Sequence, residues 1–386
     1  MKWFGRKSAG RDVSRPALAR GVGFAWGGEE AGYWPRSYEA RVRSAVMDNP
    51  VALRAVRMVA EGAQSAAIYG EGPDGAAMAG LIGGATGDGL IEAVAAQLLL
   101  HGNAFVRVAL GGAGEMPVAL YPLRPERVTV IADAAGWPMA YEYRVGQTIE
   151  RIAAVDEFGR VGVIHIRQFH PMDDHYGLGC LEAAAGSVAI HNAAQKWNKA
   201  LLDNAARPSG ALVFDPGEPG AALSPDQFER LKAEIEAGFQ GAANAGRPML
   251  LEGGLKWQAM SMSPADMDFA GLKAGAARDI ALAFGVPSML MGLPGDATYA
   301  NYREANRALW RLTILPLLSK ITGTIERGLK GYWPEGRLLV DTDMIPALSE
   351  DRERLWAQVT AADFLTDREK REMLGFAAQV AEGGRG

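Results

Sequence analysis

The sequence predicts an α+β protein, and three observations carry that reading. Two helical segments near the start give way, from Ala104, to a run of period-two alternation broken by turn clusters. Two long segments of helical period, residues 181–203 and 263–285, then flank a short β-α-β piece. A last strong helical period runs through residues 309–329. Strands that follow helices as a block, rather than alternating with them, indicate α+β rather than a doubly wound sheet.

The bulk composition narrows the possibilities. At 386 residues, a prior of roughly 150 per domain gives two to three domains, and 48% hydrophobic residues supply ample core material. A net charge of -5 disfavours a chain that grips nucleic acid tightly, because such chains show a basic excess. The single cysteine, Cys180, rules out an intramolecular disulfide framework and fits a reducing compartment. No apolar run approaches the ~20 residues of a membrane-spanning helix. The basic residues Lys2, Arg6, Lys7, Arg11, Arg15 and Arg20 have no apolar stretch behind them, so no secretory signal is expected. The expectation is a soluble intracellular chain.

Residues 1–34 are basic, Gly-rich and aperiodic, and read as a flexible arm, either a simple tail or a segment that docks on a partner. Asn49-Pro50 supplies a cap and first-turn proline for a helix through Val51, Val56 and Val59. Residues 71–88 read as a loop, and a second helix spans about 89–101, ending at Gly102-Asn103. Strands are expected at 104–110, 118–121, 127–131, 140–145 and 161–167.

The helix predicted over 181–203 carries Leu181, Val188, Asn192, Trp197 and Leu201 on one side and ends at Arg207-Pro208. It would be about 35 Å long at 1.5 Å per residue. A strand at 211–214 follows, then a capping box at Ser224-Pro225-Asp226-Gln227, with Ser224 as cap. The helix it starts has Phe228, Leu231, Ile235 and Phe239 on one face and Asp226, Arg230 and Glu234 on the other. A hairpin pairing 249–251 with 255–257 turns at Gly253-Gly254. Ser263-Pro264 caps the next helix, containing Met267, Leu272, Ala276, Ile280 and Phe284. Pro287 biases Val286 away from helical angles, so that helix stops at Phe284-Gly285. Met289, Leu290, Met291 and Leu293 are expected to leave the core. Helical period resumes with Leu309, Trp310, Leu312, Ile314, Leu318, Ile321, Ile325 and Leu329, and Pro316 predicts a kink within it. A short strand at 337–340 and a helical segment over 349–379 complete the chain.

Catalytic readings are weak. His165, His170, Asp173, Asp174 and His175 could hold Zn²⁺ or Mn²⁺ in a metal-dependent hydrolase, which is the alternative function. Their spacing matches no helix-borne zinc motif, and a strand-end histidine followed by a polar turn is the simpler reading. An ATPase would need GxxxxGK[ST], and no Gly-Lys dipeptide occurs. The glycine runs GGATGDG and GGAGEM lack the strand–loop–helix context that cradles phosphate. Cys180 reads as a small buried residue at a helix start. Asp226 and Glu234 would lie roughly 12 Å apart on a helix, beyond the roughly 5–9.5 Å of working glycosidase pairs. Arg303, Arg307 and Arg311, spaced by four, read either as a solvated stripe or as cations facing DNA.

The segment 280–318 carries a resemblance. Its residues Ile280, Ala281, Phe284, Gly285, Val286, Pro287, Leu290, Gly292, Thr298, Tyr299, Asn301, Thr313 and Pro316 match the "IA-x-x-FGVP-x-x-L-x-G … T-Y-x-N … T-L-x-P" signature of the lambdoid (HK97-like) tailed-phage portal protein family. The match departs at Ile314, where leucine is usual, and at Ala300, where a small polar residue is common. The chain is closest in look to the portal of a gene transfer agent, a domesticated phage particle. The resemblance covers about residues 40–375. It implies a portal fold: an α+β wing (35–180), stem helix (181–206), clip (207–262), second stem helix (263–286), tunnel loop (287–301), the wing again with a long kinked helix (302–346), and a short crown and tail (347–386).

It further implies a homo-oligomeric ring, usually a dodecamer, at one capsid vertex of a virion or virion-like particle assembled in the bacterial cytoplasm. The implied partners are the terminase large subunit, the head–tail connector or adaptor, the major capsid protein and non-specifically bound double-stranded DNA, with no membrane. No catalytic residue, metal or cofactor is implied, since in such systems the ATPase and nuclease belong to the terminase. The DNA channel would be lined by Met291, Gly292, Leu293, Pro294, Asp296, Thr298, Tyr299, Asn301 and Arg303. The clip would dock partners through Asp226, Arg230, Glu234 and Phe239. An acidic chain suits a channel in which DNA must slide, because each phosphate contact adds counterion-release affinity that a motor must break.

Overall fold

The computed structural model describes residues 17–18, 37–83, 89–111, 116–203, 210–214, 224–239, 255–259, 269–293 and 299–374. Ser37 caps the short helix α1 (Tyr38–Val42), its hydroxyl accepting from Ala40 N–H. Helix α2 (Pro50–Ser65) begins as the sequence predicts: Asn49 Oδ1 accepts from Val51 and Ala52 N–H, both at 3.0 Å, with Pro50 in the first turn. Strand β1 (Ile68–Glu71), helices α3 (Gly75–Gly83) and α4 (Leu90–His101), then strands β2 (Asn103–Leu110) and β3 (Pro117–Leu123) follow.

Next come β4 (Val128–Ala132), β5 (Pro138–Val145), β6 (Thr148–Ala153) and β7 (Val163–Arg167). All pairings are antiparallel: one sheet has the order β3-β2-β7, the other β4-β5-β6. The long helix α5 (Cys180–Asp203) leads to β8 (Gly210–Phe214), α6 (Pro225–Phe239), β9 (Leu255–Ala259) and α7 (Phe269–Ala283). Helix α8 (Tyr299–Leu309), a π-helical turn at 310–314 and α9 (Leu315–Leu329) run on without a break. Strand β10 (Arg337–Val340) returns to pair with β1, and α10 (Ser349–Ala361) and α11 (Asp367–Met373) close the described chain.

Helix α9 is the centre of the main core. Leu318, Ile321, Ile325 and Leu329 are fully buried against α4 and β7, at the spacing a single helical face requires. Burial of each such side chain is worth roughly 1.5–3 kcal/mol. A smaller core of Phe105, Leu123, Val128, Val130, Tyr141, Ile152 and Val163 lies beneath the β4-β5-β6 sheet.

Five expectations are corrected. Residues 75–83 are helical rather than loop, because Met78, Leu81 and Ile82 stand at i, i+3 and i+4 and are buried together. Strands β1 and β6 were not expected; β6 follows β5 across the two-residue turn Gly146-Gln147, whose first residue has φ 59°. Leu290 does not leave the core but is buried in it. Leu312 is 77% exposed, because the π turn inserts an extra residue and rotates it off the buried face. The C-terminal helix is two helices, the second started by a capping box between Thr366 and Glu369.

Several expectations lie outside the described residues: most of the arm, Arg207-Pro208, the strand at 249–251, the Ser263-Pro264 cap with Met267, and the tail beyond 374.

Candidate functional site

Helices α5 and α7 pack antiparallel. Ser187 Oγ donates to Asp279 Oδ2 at 3.4 Å, while ten residues farther along α5 the Trp197 ring stacks on Phe269 at the start of α7 (6.1 Å). The chain therefore leaves the body along α5 and returns along α7, with β8, α6 and β9 between them in sequence. Asn49 ties α5 to the body: its Nδ2 donates to Asn192 Oδ1 (2.9 Å) and approaches His191 Nδ1 (3.2 Å), and Asn192 Nδ2 donates to Ser44 O (2.8 Å).

In the insert, β8 and β9 pair from Gly210↔Ala259 to Phe214↔Leu255. The predicted capping box forms: Ser224 N–H donates to Gln227 Oε1 (2.9 Å) and Gln227 N–H to Ser224 Oγ (3.3 Å). Asp226 and Arg230 are exposed, and so is Phe228, at 55%, on the face expected to be apolar. Glu234 and Phe239 belong to α6, but their side chains fall outside the described residues.

The FGVP segment ends α7 with paired C-terminal hydrogen bonds. Gly285 N–H donates to Leu282 O (3.0 Å) and Val286 N–H to Ala281 O (2.9 Å), which requires Gly285 at φ 68°. Phe284 and Val286 plug into the core on either side. Pro287 opens a 3₁₀ turn over Ser288–Met291, which Gly292 closes at φ 70°. The Gly285 carbonyl accepts from Thr313 Oγ1 at 2.6 Å, so the end of α7 is latched to the π turn. Pro316 explains that turn: it has no N–H to donate to Leu312 O, and Leu315 N–H bonds five residues back to Trp310 O. Three residues of the recognised motif, Gly285, Thr313 and Pro316, thus build one junction.

Of the predicted channel residues, Met291 is partly buried against the core, Gly292 is exposed, Leu293 is half-buried and Asn301 is exposed. Tyr299 starts α8, and its side chain is not among those described. Pro294, Asp296 and Thr298 lie outside the described residues. Arg303 lies in an ion-pair ladder. Glu350 accepts from Arg303 Nη1 and Arg307 Nη2, both at 2.5 Å, and Asp351 lies 3.7 Å from both Arg307 and Arg311. Arg307, only 13% exposed, also contacts Glu304 (3.1 Å). The three arginines are therefore neither a bare stripe nor a bare cationic surface. They fasten α8 and the π turn to the acidic first turn of α10, a placement the α10 helix dipole also favours for its acids. The acidic start Ser349-Glu350-Asp351 is visible in the sequence, but its distant partners are not.

The histidines play structural parts. Asn103 Oδ1 can only accept, so His165 Nε2 carries the proton between them (3.1 Å), and the His165 ring stacks on Phe105 at 4.2 Å. The same Oδ1 accepts from Gly177 N–H (2.7 Å), while Asn103 Nδ2 donates to Gly177 O (3.1 Å) and lies 3.1 Å from His101 Nδ1. Asp173 Oδ1 accepts from His175 and Tyr176 N–H, and His170 Nδ1 from Met172 N–H. Burial lowers His165 to about 3, helped by Arg167, and lowers His101 to about 4. Cys180 opens α5 half-buried, its thiol pushed up by burial. Among the described residues no group of three His, Cys, Asp or Glu side chains could hold a metal ion, and the hydrolase reading finds no support. No described helix is long and apolar enough to cross a membrane.

Comparison with known proteins converges on one family. Residues 83–375 match the phage portal protein family. The chain is similar to a chain in the neck of a native gene transfer agent particle computed with C12 symmetry, at 45% identity and a TM-score of 0.68, covering 90% of this chain and 96% of that one. It is 43% identical over 282 residues to a protein of Rickettsia felis, covering 72% of this chain and 71% of that protein. The portal protein of Enterobacteria phage HK97 is 23% identical over 265 residues, covering 67% of this chain and 58% of the phage protein. An HK97-family portal structure from Corynebacterium diphtheriae shares the fold at 18% identity, with a TM-score of 0.56 over 82% of this chain and 99% of that one.

Proposed function

The chain belongs to the phage portal protein family, and on that premise we propose that it is the subunit of a ring at one capsid vertex of a phage or gene transfer agent head, forming the channel through which double-stranded DNA is packaged and released. The observation that carries this is the match over residues 83–375 together with the likeness, along nearly the whole chain, to a component of a gene transfer agent neck. The twelvefold symmetry of that neck supports a dodecamer here.

The geometry is consistent with such a subunit. Ile190, Trp197, Leu272 and Leu282 on the α5–α7 pair are exposed, Leu282 at 78%. Head-to-tail contacts that close a ring would cover such a face. The role is structural rather than catalytic, and motor and nuclease functions fall to a terminase. Pairing Arg303, Arg307 and Arg311 with Glu350 and Asp351 leaves fewer cations to hold phosphates, which suits sliding DNA.

Residues 287–301 are proposed as the tunnel loop. With 287–291 held in place by Leu290 and the 3₁₀ turn, the reach into the channel falls to the residues after Gly292. Deleting residues 292–297 should leave rings intact and abolish DNA packaging or retention in particles; normal DNA content would refute the assignment.

The 207–262 insert is proposed as the clip, the outer end where terminase and later the head–tail connector dock. The antiparallel α5–α7 pair supports this, since it sends the insert away from the body. Paired Asp226→Lys and Glu234→Lys substitutions should leave rings intact and weaken terminase or connector binding about tenfold, an effect of desolvated charge at an interface. Failure of the rings to form would instead assign the insert to bracing between subunits.

A further inference from the structure

Part of the N-terminal arm is held against the body. Leu18 N–H donates to the Ala135 carbonyl at 2.9 Å, in the turn between β4 and β5. That turn is rigid on its own account. The Asp133 carboxylate accepts from Ala135 N–H (2.9 Å) and Trp137 N–H (2.8 Å), while Asp133 N–H donates to Trp137 O (2.8 Å) and Gly136 N–H to Asp133 O (3.0 Å). Held in this way, the turn presents the Ala135 carbonyl as the acceptor for the Leu18 N–H. Gly136 is at φ 87°, and a Cβ there would lie 2.1 Å from the Leu18 carbonyl oxygen. The arm's backbone therefore rests directly on the turn.

Leu18 itself is half-buried and helps line a cleft of about 420 Å³, alongside Trp137, Tyr141, Val155, Ile164 and Gly328. These walls belong to different parts of the molecule. Tyr141 is part of the small core under the β4-β5-β6 sheet, Ile164 is part of the main core, and Gly328 lies on α9. Seven buried side chains make up that small core among the described residues. So small a core gains disproportionately from one more apolar anchor at its seam.

We propose that the Ala17–Leu18 segment of the chain's own N-terminal arm is a strap that closes one side of this cleft, tying the β4-β5-β6 sheet to β7 and α9. One main-chain hydrogen bond sets the register and one leucine forms a wall of the cleft, a combination of main-chain pairing and side-chain contact that also serves in recognition of extended peptides. Ala17 and Leu18 then act as a clasp on the body.

Residue-resolved amide exchange on the full chain tests this. The Leu18 amide should exchange at least about tenfold more slowly than in a free peptide of residues 11–25. Leu18→Asp should remove that protection and accelerate exchange in the 133–141 turn and strand by a similar factor. Leu18→Met, which keeps an apolar anchor, should preserve both. Equal exchange at position 18 in the wild type and Leu18→Asp, or unchanged exchange over 133–141, would overturn the proposal.

Discussion

Replacing Gly285 with valine is expected to cost about 3 kcal/mol of stability, the sum of a left-handed backbone penalty of roughly 1–2 kcal/mol and an overpacking term of roughly 1–3 kcal/mol. Both terms are local. Gly285 holds φ 68°, and a Cβ there would lie 2.8 Å from Thr313 Oγ1, the atom that latches α7 to the π turn. Gly292 provides the control. Its φ is 70°, but nothing lies within 4 Å of the Cβ it would gain, so Gly292→Val should incur only the backbone term. Urea denaturation of the two variants separates the contributions. Equal losses would show that the contact with Thr313 contributes nothing, and the junction would then be only a helix end.

Acid should unfold the chain in a window set by two half-buried imidazoles. His101 and His165 are held neutral in the folded chain, lowered chiefly by burial to about 4 and about 3. In the unfolded chain they take up protons near pH 6.5. Stability is therefore fully present above pH 6.5 and is lost as the pH falls toward the folded-state values. For His101 alone the loss is about 2 kcal/mol by pH 5 and about 3 kcal/mol by pH 4. Urea midpoints measured from pH 7 to pH 5 should fall steeply in the wild type and less steeply in His101→Gln. A constant stability difference between the two across that range would contradict the assignment.

Much of this arrangement is legible in the sequence wherever a local rule acts alone. The Asn49 cap, the Ser224–Gln227 box and the stop at Gly285 each depend on a few adjacent residues, and each is found where expected. The buried face of α9 follows from spacing alone. What escapes the sequence is set by distant partners. The Gly-rich segment 75–83 becomes helical because Met78, Leu81 and Ile82 find a core. Leu312 turns outward because Pro316 forces a π turn upstream of itself. Arg303, Arg307 and Arg311 are decided by two acids at least forty residues away, so their spacing alone leaves two readings open. The proposed channel and docking residues are recognisable only through the family signature, since no local rule marks which side chain faces a partner.

The roles proposed for the channel and the insert all require this chain to close into a ring. Negative-stain imaging of the purified full chain, with sedimentation at micromolar concentration, decides whether it does. Rings with a central hole and a mass near twelve subunits are expected, since obligate interfaces of roughly 2,000–5,000 Å² hold at such concentrations. A single stable species at 41.1 kDa, with no rings, would contradict ring closure.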